Sequence, residues 1–357
     1  MINVLGMALY GDKAASTRQR LLQYIPELAK HDINLEVYSL LNNDYLNYKF
    51  EQGSLPIKSL LRSGFARFNE LIKQHKYQCI IVSSELFPLM PSLIERQLLR
   101  IPYIYDFDDS FYLKYKSNRF KMLSPFLGNK FDVVIRDATA VIAGNDVIAT
   151  YAKSYNNNIT VLPTVVDIQR YSTKQQNNNT FTIGWIGTPS TANYLKLIMS
   201  ALEKITSNKQ AIVRAVGSGP INLPNINHEI ISWTKDTEIE LLNSFDVGIM
   251  PLFDDQWAKG KCGYKLIQYM ACKIPVIASP VGINTQIISH GQNGFLASSQ
   301  EEWYESFMTL IESPELRDKM GHEGRKKVEQ KYKKLSFKTI LLSCARARAP
   351  TCEIPKK

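Results

Sequence analysis

Twice along this chain, short apolar runs of strand length alternate with stretches of helical period. In the first series "INVLGMALYG" (2–11), "NLEVYSL" (34–40), "CIIVSSEL" (79–86), "YIYDFDD" (103–109), "AVIAGN" (140–145) and "ITVLPTVVD" (159–167) read as strands. Helices fall between them at 16–31, with Ser16 as its N-cap, at 92–99 and at 146–155. "STKQQNNNT" (172–180) has no periodicity and reads as a linker. The pattern then restarts with "FTIGWIGTPS" (181–190), "AIVRAVGSG" (211–219), "HEIISW" (228–233), "VGIMPL" (247–252), a run at 275–279 and "NGFLAS" (293–298). Helices are expected at 191–205, 236–245 and 284–289, and from about 300 to 345. Continuous apolar strands joined by helical crossovers bury both faces of a parallel sheet. The expected fold is therefore α/β, with two Rossmann-like domains at 1–171 and 181–330. A helix at 331–345 is expected to pack back on the first domain, before a loose tail at 346–357.

Composition narrows the function classes. Five cysteines are scattered without metal or disulfide spacing, which points to a reducing, cytoplasmic compartment. No apolar run is long enough to span a bilayer, and "MINVLGMALYGDK" reads as a first strand rather than a signal peptide. The net charge is +10, and residues 323–357 hold 11 basic and 3 acidic side chains. Two other basic stretches, 57–76 and 111–130, mix Lys and Arg with Phe, Tyr and Leu. Each is read either as a segment for an anionic membrane face or as a solvated helix face. Nucleic acid is not an expected partner, since charge is the only feature in its favour. The histidines share no metal spacing, "VGSGP" (216–220) reads as a strand-end turn, and no Ser-His-Asp elbow is visible.

The most informative stretch is "WAKGKCGYKLIQYMACKIPVIASPVG" (257–282). Ligands of open parallel sheets bind beyond the carboxyl ends of the strands, so the loop after 247–252 borders the expected site. A helix should begin near Cys262–Gly263, and its first amides favour an anion. Lys261 and Lys265 are four apart and can face one phosphate group. Gly260 and Gly263 allow close backbone approach. Gln268 carries both a donor and an acceptor, which suits a ribose hydroxyl. Two solvated lysines on an ordinary helix would give the same pattern.

This segment, followed by "HGQNGFLA" (290–297), resembles the donor-binding element of GT-B glycosyltransferases, in particular retaining glycosyltransferase family four. "STRQR" after the first strand, "YDFDDS", "VIAGN", "LPTVVD", "IGWIGTPST" and "FDVGIMPL" are similar in the same order, over roughly residues 2–335. The resemblance implies a cleft between the two domains and transfer of a sugar, with retention and without metal or cofactor. The sugar would pass from a nucleoside-diphosphate donor to a glycan or lipid-linked acceptor, as in surface polysaccharide synthesis. It implies that Lys261 and Lys265 stabilise the departing diphosphate, with Gly187, Thr188, Cys262, Gly263 and Gly282 around the donor. Ser190 is read as a helix cap or a phosphate contact, and Asn284, which begins the next helix near the cleft, as a helix cap or a ligand contact. Where the family carries Glu, seven residues and Glu, this chain has Gly260 and Gln268, which leaves donor-sugar identity open. On the acceptor side stand Gly11, Arg18 as a phosphate contact or an ordinary surface residue of its helix, and Asp106, Asp108 and Asp109, one of which orients a hydroxyl or acts as base. Asp108 or Asp109 as a helix cap is the competing reading, and Glu85 is a further candidate. A non-catalytic sugar-nucleotide-binding partner subunit and a GT-B-like epimerase are the alternatives.

Overall fold

The computed structural model describes residues 1–52, 57–171, 173, 180–208 and 211–332. Most of the polar segment 172–180, the expected helix beyond 332 and the tail 346–357 lie outside the described residues. The chain divides into two compact units, whose boundary falls between Pro163 and Thr164. Residues 164–171, expected in the first domain, group with the second. Arg325 Nη1 holds them there, donating to Tyr171 O at 2.8 Å.

The first unit contains β1 (Ile2–Tyr10), β2 (Ile33–Leu41), β3 (Cys79–Ser83), β4 (Tyr103–Phe107), β5 (Ala140–Ala143) and β6 (Ile159–Val161). They form one parallel sheet in the order β2-β1-β3-β4-β5-β6. Every residue of β3, β4 and β5 is buried, as expected of strands covered on both faces. The order reverses between β1 and β3, so the ligand-binding crevice of such a sheet lies at the loops after those two strands.

The second unit contains β7 (Phe181–Ile186), β8 (Ala211–Val216), β9 (His228–Ile231), β10 (Val247–Met250), β11 (Val276–Ala278) and β12 (Gly294–Leu296). Its order, β12-β11-β10-β7-β8-β9, is that of a dinucleotide-binding Rossmann sheet read from the far edge. Here the reversal lies between β7 and β10. The core beneath is apolar, built on Trp185, Leu195, Leu202, Ile249, Trp303 and Phe307.

Local chemistry moved several element ends. The helix expected at 16–31 is two short helices, Ala15–Arg20 and Ile25–Ala29, around a 3₁₀ turn. Pro26 disfavours a continuous helix through the residue before it. Ser16 is not the cap; Ala14 occupies that position and Ser16 lies inside the helix. Asn145 does cap its helix, accepting from the Ile148 amide at 3.0 Å.

One buried ion pair ties the first unit together. Arg20 Nε donates to Asp106 Oδ1 at 3.1 Å, and Arg20 Nη1 donates to Leu162 O at 2.6 Å. Ser83 Oγ donates to Asp106 Oδ2 at 3.2 Å. The pair therefore links the first helix, the ends of β3 and β4, and the segment after β6. Removing one partner strands a buried charge. Asp106→Asn is expected to destabilise the protein by about 3–5 kcal/mol, read from urea unfolding. A loss below about 1 kcal/mol would contradict this role.

Candidate active site

The second unit's site is assembled where β7 and β10 diverge. After Ile186 the chain turns at Gly187, whose amide donates to Val216 O at 3.0 Å. A Cβ at Gly187 would lie 2.4 Å from the Trp185 ring and 2.8 Å from Lys265 Nζ. The Lys265 ammonium therefore packs against this glycine, and it sits 4.2 Å from the centroid of the Trp185 ring. Gly187 contributes room rather than a donor. Gly217, at φ +72°, packs in turn on Gly187 O.

Helix Tyr264–Ala271 delivers Lys265 to that position. It begins one residue later than Cys262–Gly263 implied, with Gly263 as N-cap at φ +64°. A Cβ there would meet Ile287 Cδ1 at 2.3 Å, so both conformation and space require glycine. Tyr269 fixes the helix on the sheet: its ring lies over Gly248, and its hydroxyl accepts from the Ile186 amide at 3.0 Å. The same tyrosine thus joins helix Tyr264–Ala271 to the end of β7.

Lys265 is half-buried, and its ammonium is pushed down to about 7, first by burial and then by the charge of Lys261. A cation in this state favours an arriving anion. Lys261 follows the short helix Gln256–Lys259, with its amide donating to Ala258 O at 3.1 Å. Asp255 caps that helix, accepting from the Ala258 amide at 2.7 Å. Gly260 ends it and is buried, as is Cys262. Gly282, at φ +55°, lies where a Cβ would meet Lys259 O at 2.6 Å. Thr188 precedes helix Pro189–Ala192, and its amide donates to Thr191 Oγ1 at 3.2 Å. The cap position is thus Thr188, with Ser190 Oγ 2.9 Å from the Thr188 hydroxyl. Asn284 is not a cap either: Ile283 holds that position, and Asn284 Nδ2 donates to Ser279 O at 3.0 Å.

Gln268 is only 2% exposed, and its Nε2 donates to the Tyr171 hydroxyl at 3.3 Å. That hydroxyl lies 3.4 Å from the Tyr264 hydroxyl. The sequence reading missed Tyr171, Tyr264 and Trp185. Trp185 was legible in "GWIG", two residues before Gly187. Tyr171 was not, because its partner lies 97 positions away.

In the first unit the crevice loops follow β1 and β3. Gly11 is a packing glycine, since a Cβ there would lie 2.3 Å from Asn43 Oδ1. Arg18, expected to contact phosphate, is instead buried and braces the β1 loop, its Nη1 donating to Lys13 O at 2.8 Å and Asp12 O at 3.1 Å. Asp106 is engaged by Arg20. Asp109 Oδ1 accepts from the Ser110 amide at 3.1 Å. Asp108 and Asp109 are both partly accessible, while Asp106 is buried. Burial pushes Asp108 up to about 6, opposed by Arg20 and reinforced by Asp106 and Asp109. Glu85 is locked in a buried network, accepting from Lys130 Nζ at 2.9 Å and the Tyr115 hydroxyl at 2.5 Å. Lys130 also pairs with Glu95 at 3.0 Å. Among the described residues, no three His, Cys, Asp or Glu side chains gather to hold a metal ion.

Residues 180–313, which lie in the second unit, match the family described as Glycosyl transferases group 1. The chain is 36% identical over 70 residues to a probable sucrose-phosphate synthase of Thermosipho melanesiensis, covering 20% of this chain and 16% of that protein. It is 26% identical over 147 residues to N-acetyl-alpha-D-glucosaminyl L-malate synthase of Bacillus anthracis, covering 38% and 37%. The chain therefore aligns with well under half the length of the curated relatives it matches. In fold it is similar to Anabaena HepE solved with UDP-glucose, at TM-score 0.67, 15% identity and 98% of each chain. Two parallel six-stranded sheets with flanking helices are the GT-B architecture.

Two glycine substitutions separate strain from collision. Gly291, at φ +76°, has open space around it, so Gly291→Ala is expected to cost about 1 kcal/mol. Gly263→Ala adds the collision with Ile287 and is expected to cost about 3 kcal/mol. Equal unfolding midpoints for the two variants would remove the packing argument for Gly263.

Proposed function

We propose that this protein is a glycosyltransferase that takes a sugar from a nucleoside-diphosphate donor and passes it to a glycan or lipid-linked acceptor. The observation that carries the reading is the Lys265 ammonium over Trp185 and against Gly187, within a segment that matches group 1 glycosyl transferases. In this reading the diphosphate lies beside Lys265 and Lys261 and the first amides of helix Tyr264–Ala271. These groups neutralise the charge that grows on the leaving diphosphate as the sugar–oxygen bond breaks. They supply positive charge without a metal, and a donor phosphate oxygen takes the acceptor proton, so transfer proceeds with retention as in family four. Gln268, oriented by Tyr171, holds the ribose. Backbone near Cys262 and Gly263 positions the donor sugar in place of the carboxylate that Gly260 lacks. Asp108 orients the acceptor hydroxyl, and the product belongs to surface polysaccharide.

A second reading shares the donor site but not the chemistry. Gly260, standing where related enzymes carry Glu, favours a non-catalytic sugar-nucleotide-binding subunit. The two readings separate on turnover: the enzyme releases nucleoside diphosphate when acceptor is supplied, and the binder does not.

A thermal-shift series with UDP, GDP, ADP and CMP and their sugars tests the donor site. One nucleoside diphosphate is expected to raise the midpoint by mass action, and Lys265→Ala is expected to abolish the rise. No stabilisation of the folded protein by any of them would overturn the reading. The pH dependence carries a defined sign. An anion beside Lys265 favours the ammonium, so the bound pKa exceeds the free value of about 7. Affinity is expected to be full below pH 7 and to fall by roughly tenfold per unit above it. Calorimetric titration in which binding strengthens as pH rises from 7 to 8 would contradict this.

A further inference from the structure

Helix Ile57–Ile72 carries apolar side chains on both its inner and its outer face, with Leu71 buried at 2% exposure. The face against the sheet also buries an arginine. Arg67 is 2% exposed, and its guanidinium donates to Ala8 O, to Tyr38 O at 3.1 Å and to Leu86 O at 3.4 Å. The outer face presents large apolar side chains: Leu61 is 66% exposed, Phe65 73%, Phe68 43% and Ile72 61%. Their spacings of four, three and four place them on a single stripe. Lys58, Arg62 and Lys73 are exposed and fall in a second stripe beside it. Lys73 also pairs with Glu70 at 2.9 Å. Such an outward apolar stripe costs solvation in a lone protein and marks an interaction surface.

We infer that the face Leu61–Phe65–Phe68–Ile72, with Lys58 and Arg62 beside it, docks the first unit on an anionic lipid surface. The apolar stripe enters the headgroup boundary while the cations reach lipid phosphates. The charge pattern selects lipid over a second copy of the chain. A twofold contact through this stripe would bring the cationic stripes of both copies together, in a protein that already carries +10. An anionic bilayer complements the same stripes, at about 1 kcal/mol per cation. The first unit shows the same chemistry again: Met122, Leu123 and Phe126 are 91%, 41% and 70% exposed, near exposed Arg119 and Lys121 in sequence. Among the described residues no helix is long and apolar enough to cross a membrane, which fits a helix that lies on the surface. This inference is independent of the donor chemistry.

Vesicle flotation of the full chain tests it without nucleotide or turnover. Phosphatidylcholine vesicles containing phosphatidylglycerol should float the protein, and phosphatidylcholine alone should not. Phe65→Ser with Phe68→Ser should lower partitioning by at least about tenfold. Lys58→Gln with Arg62→Gln should lower it roughly 30-fold at low salt. All four side chains are exposed, and unchanged unfolding midpoints would show that the variants fold. Absence of flotation with anionic vesicles, or equal flotation with neutral ones, overturns the inference. So does a dimer of the wild-type chain in sedimentation that Phe65→Ser and Phe68→Ser dissolve without any vesicle binding. That outcome would assign the stripe to a second copy.

Discussion

A lysine ammonium drawn partly out of water, with a second lysine as its charged neighbour, is unfavourable until an anion arrives. Lys265 is held in that state by the second unit's architecture. Trp185 lies under it, Gly187 makes room for it, and Tyr269 anchors its helix to the sheet. None of these groups neutralises the charge. The structure therefore stores electrostatic demand where β7 and β10 part, the place at which a Rossmann sheet accepts its ligand. The neighbouring glycines follow from this placement, because each admits a side chain or backbone that a Cβ would displace.

The first unit answers a different requirement. Its crevice loops are stiffened by buried charge, Arg20 with Asp106 on one side and Lys130 with Glu85 and Glu95 on the other. Such pairs add little net stability over an apolar core, but breaking one is costly. Among the strand-end carboxylates, Asp108 combines partial access with a pKa raised by burial. That combination suits a group that meets an acceptor hydroxyl.

Much of this was legible in the chain. Strand positions came from apolar runs covered on both faces, and every run named in the two series overlaps a strand of the sheets. The candidate donor segment was legible because Lys261, Gly263, Lys265 and Gln268 lie within eight residues, and helix Tyr264–Ala271 fixes the relation of the last two. Local packing decided Ser16 and Arg18: the first helix starts at Ala15, which puts Ser16 inside it, and Arg18 is buried against the carbonyls of its own loop. Helix Ile57–Ile72 is basic and aromatic in sequence, but its composition does not say which way each side chain faces. Arg67 is indistinguishable from Arg62 in sequence, and only the carbonyls of Ala8, Tyr38 and Leu86 decide which one is buried. Tyr171 and its bond to Gln268 depend on long-range packing that no local pattern records.

The most direct test is a crystal structure of the protein with the nucleoside diphosphate that stabilises it. The account places the diphosphate within hydrogen-bonding distance of Lys265 Nζ, at the start of helix Tyr264–Ala271, with the ribose against Gln268. A diphosphate bound elsewhere, with Lys265 still resting on Trp185 and touching no phosphate oxygen, would contradict it.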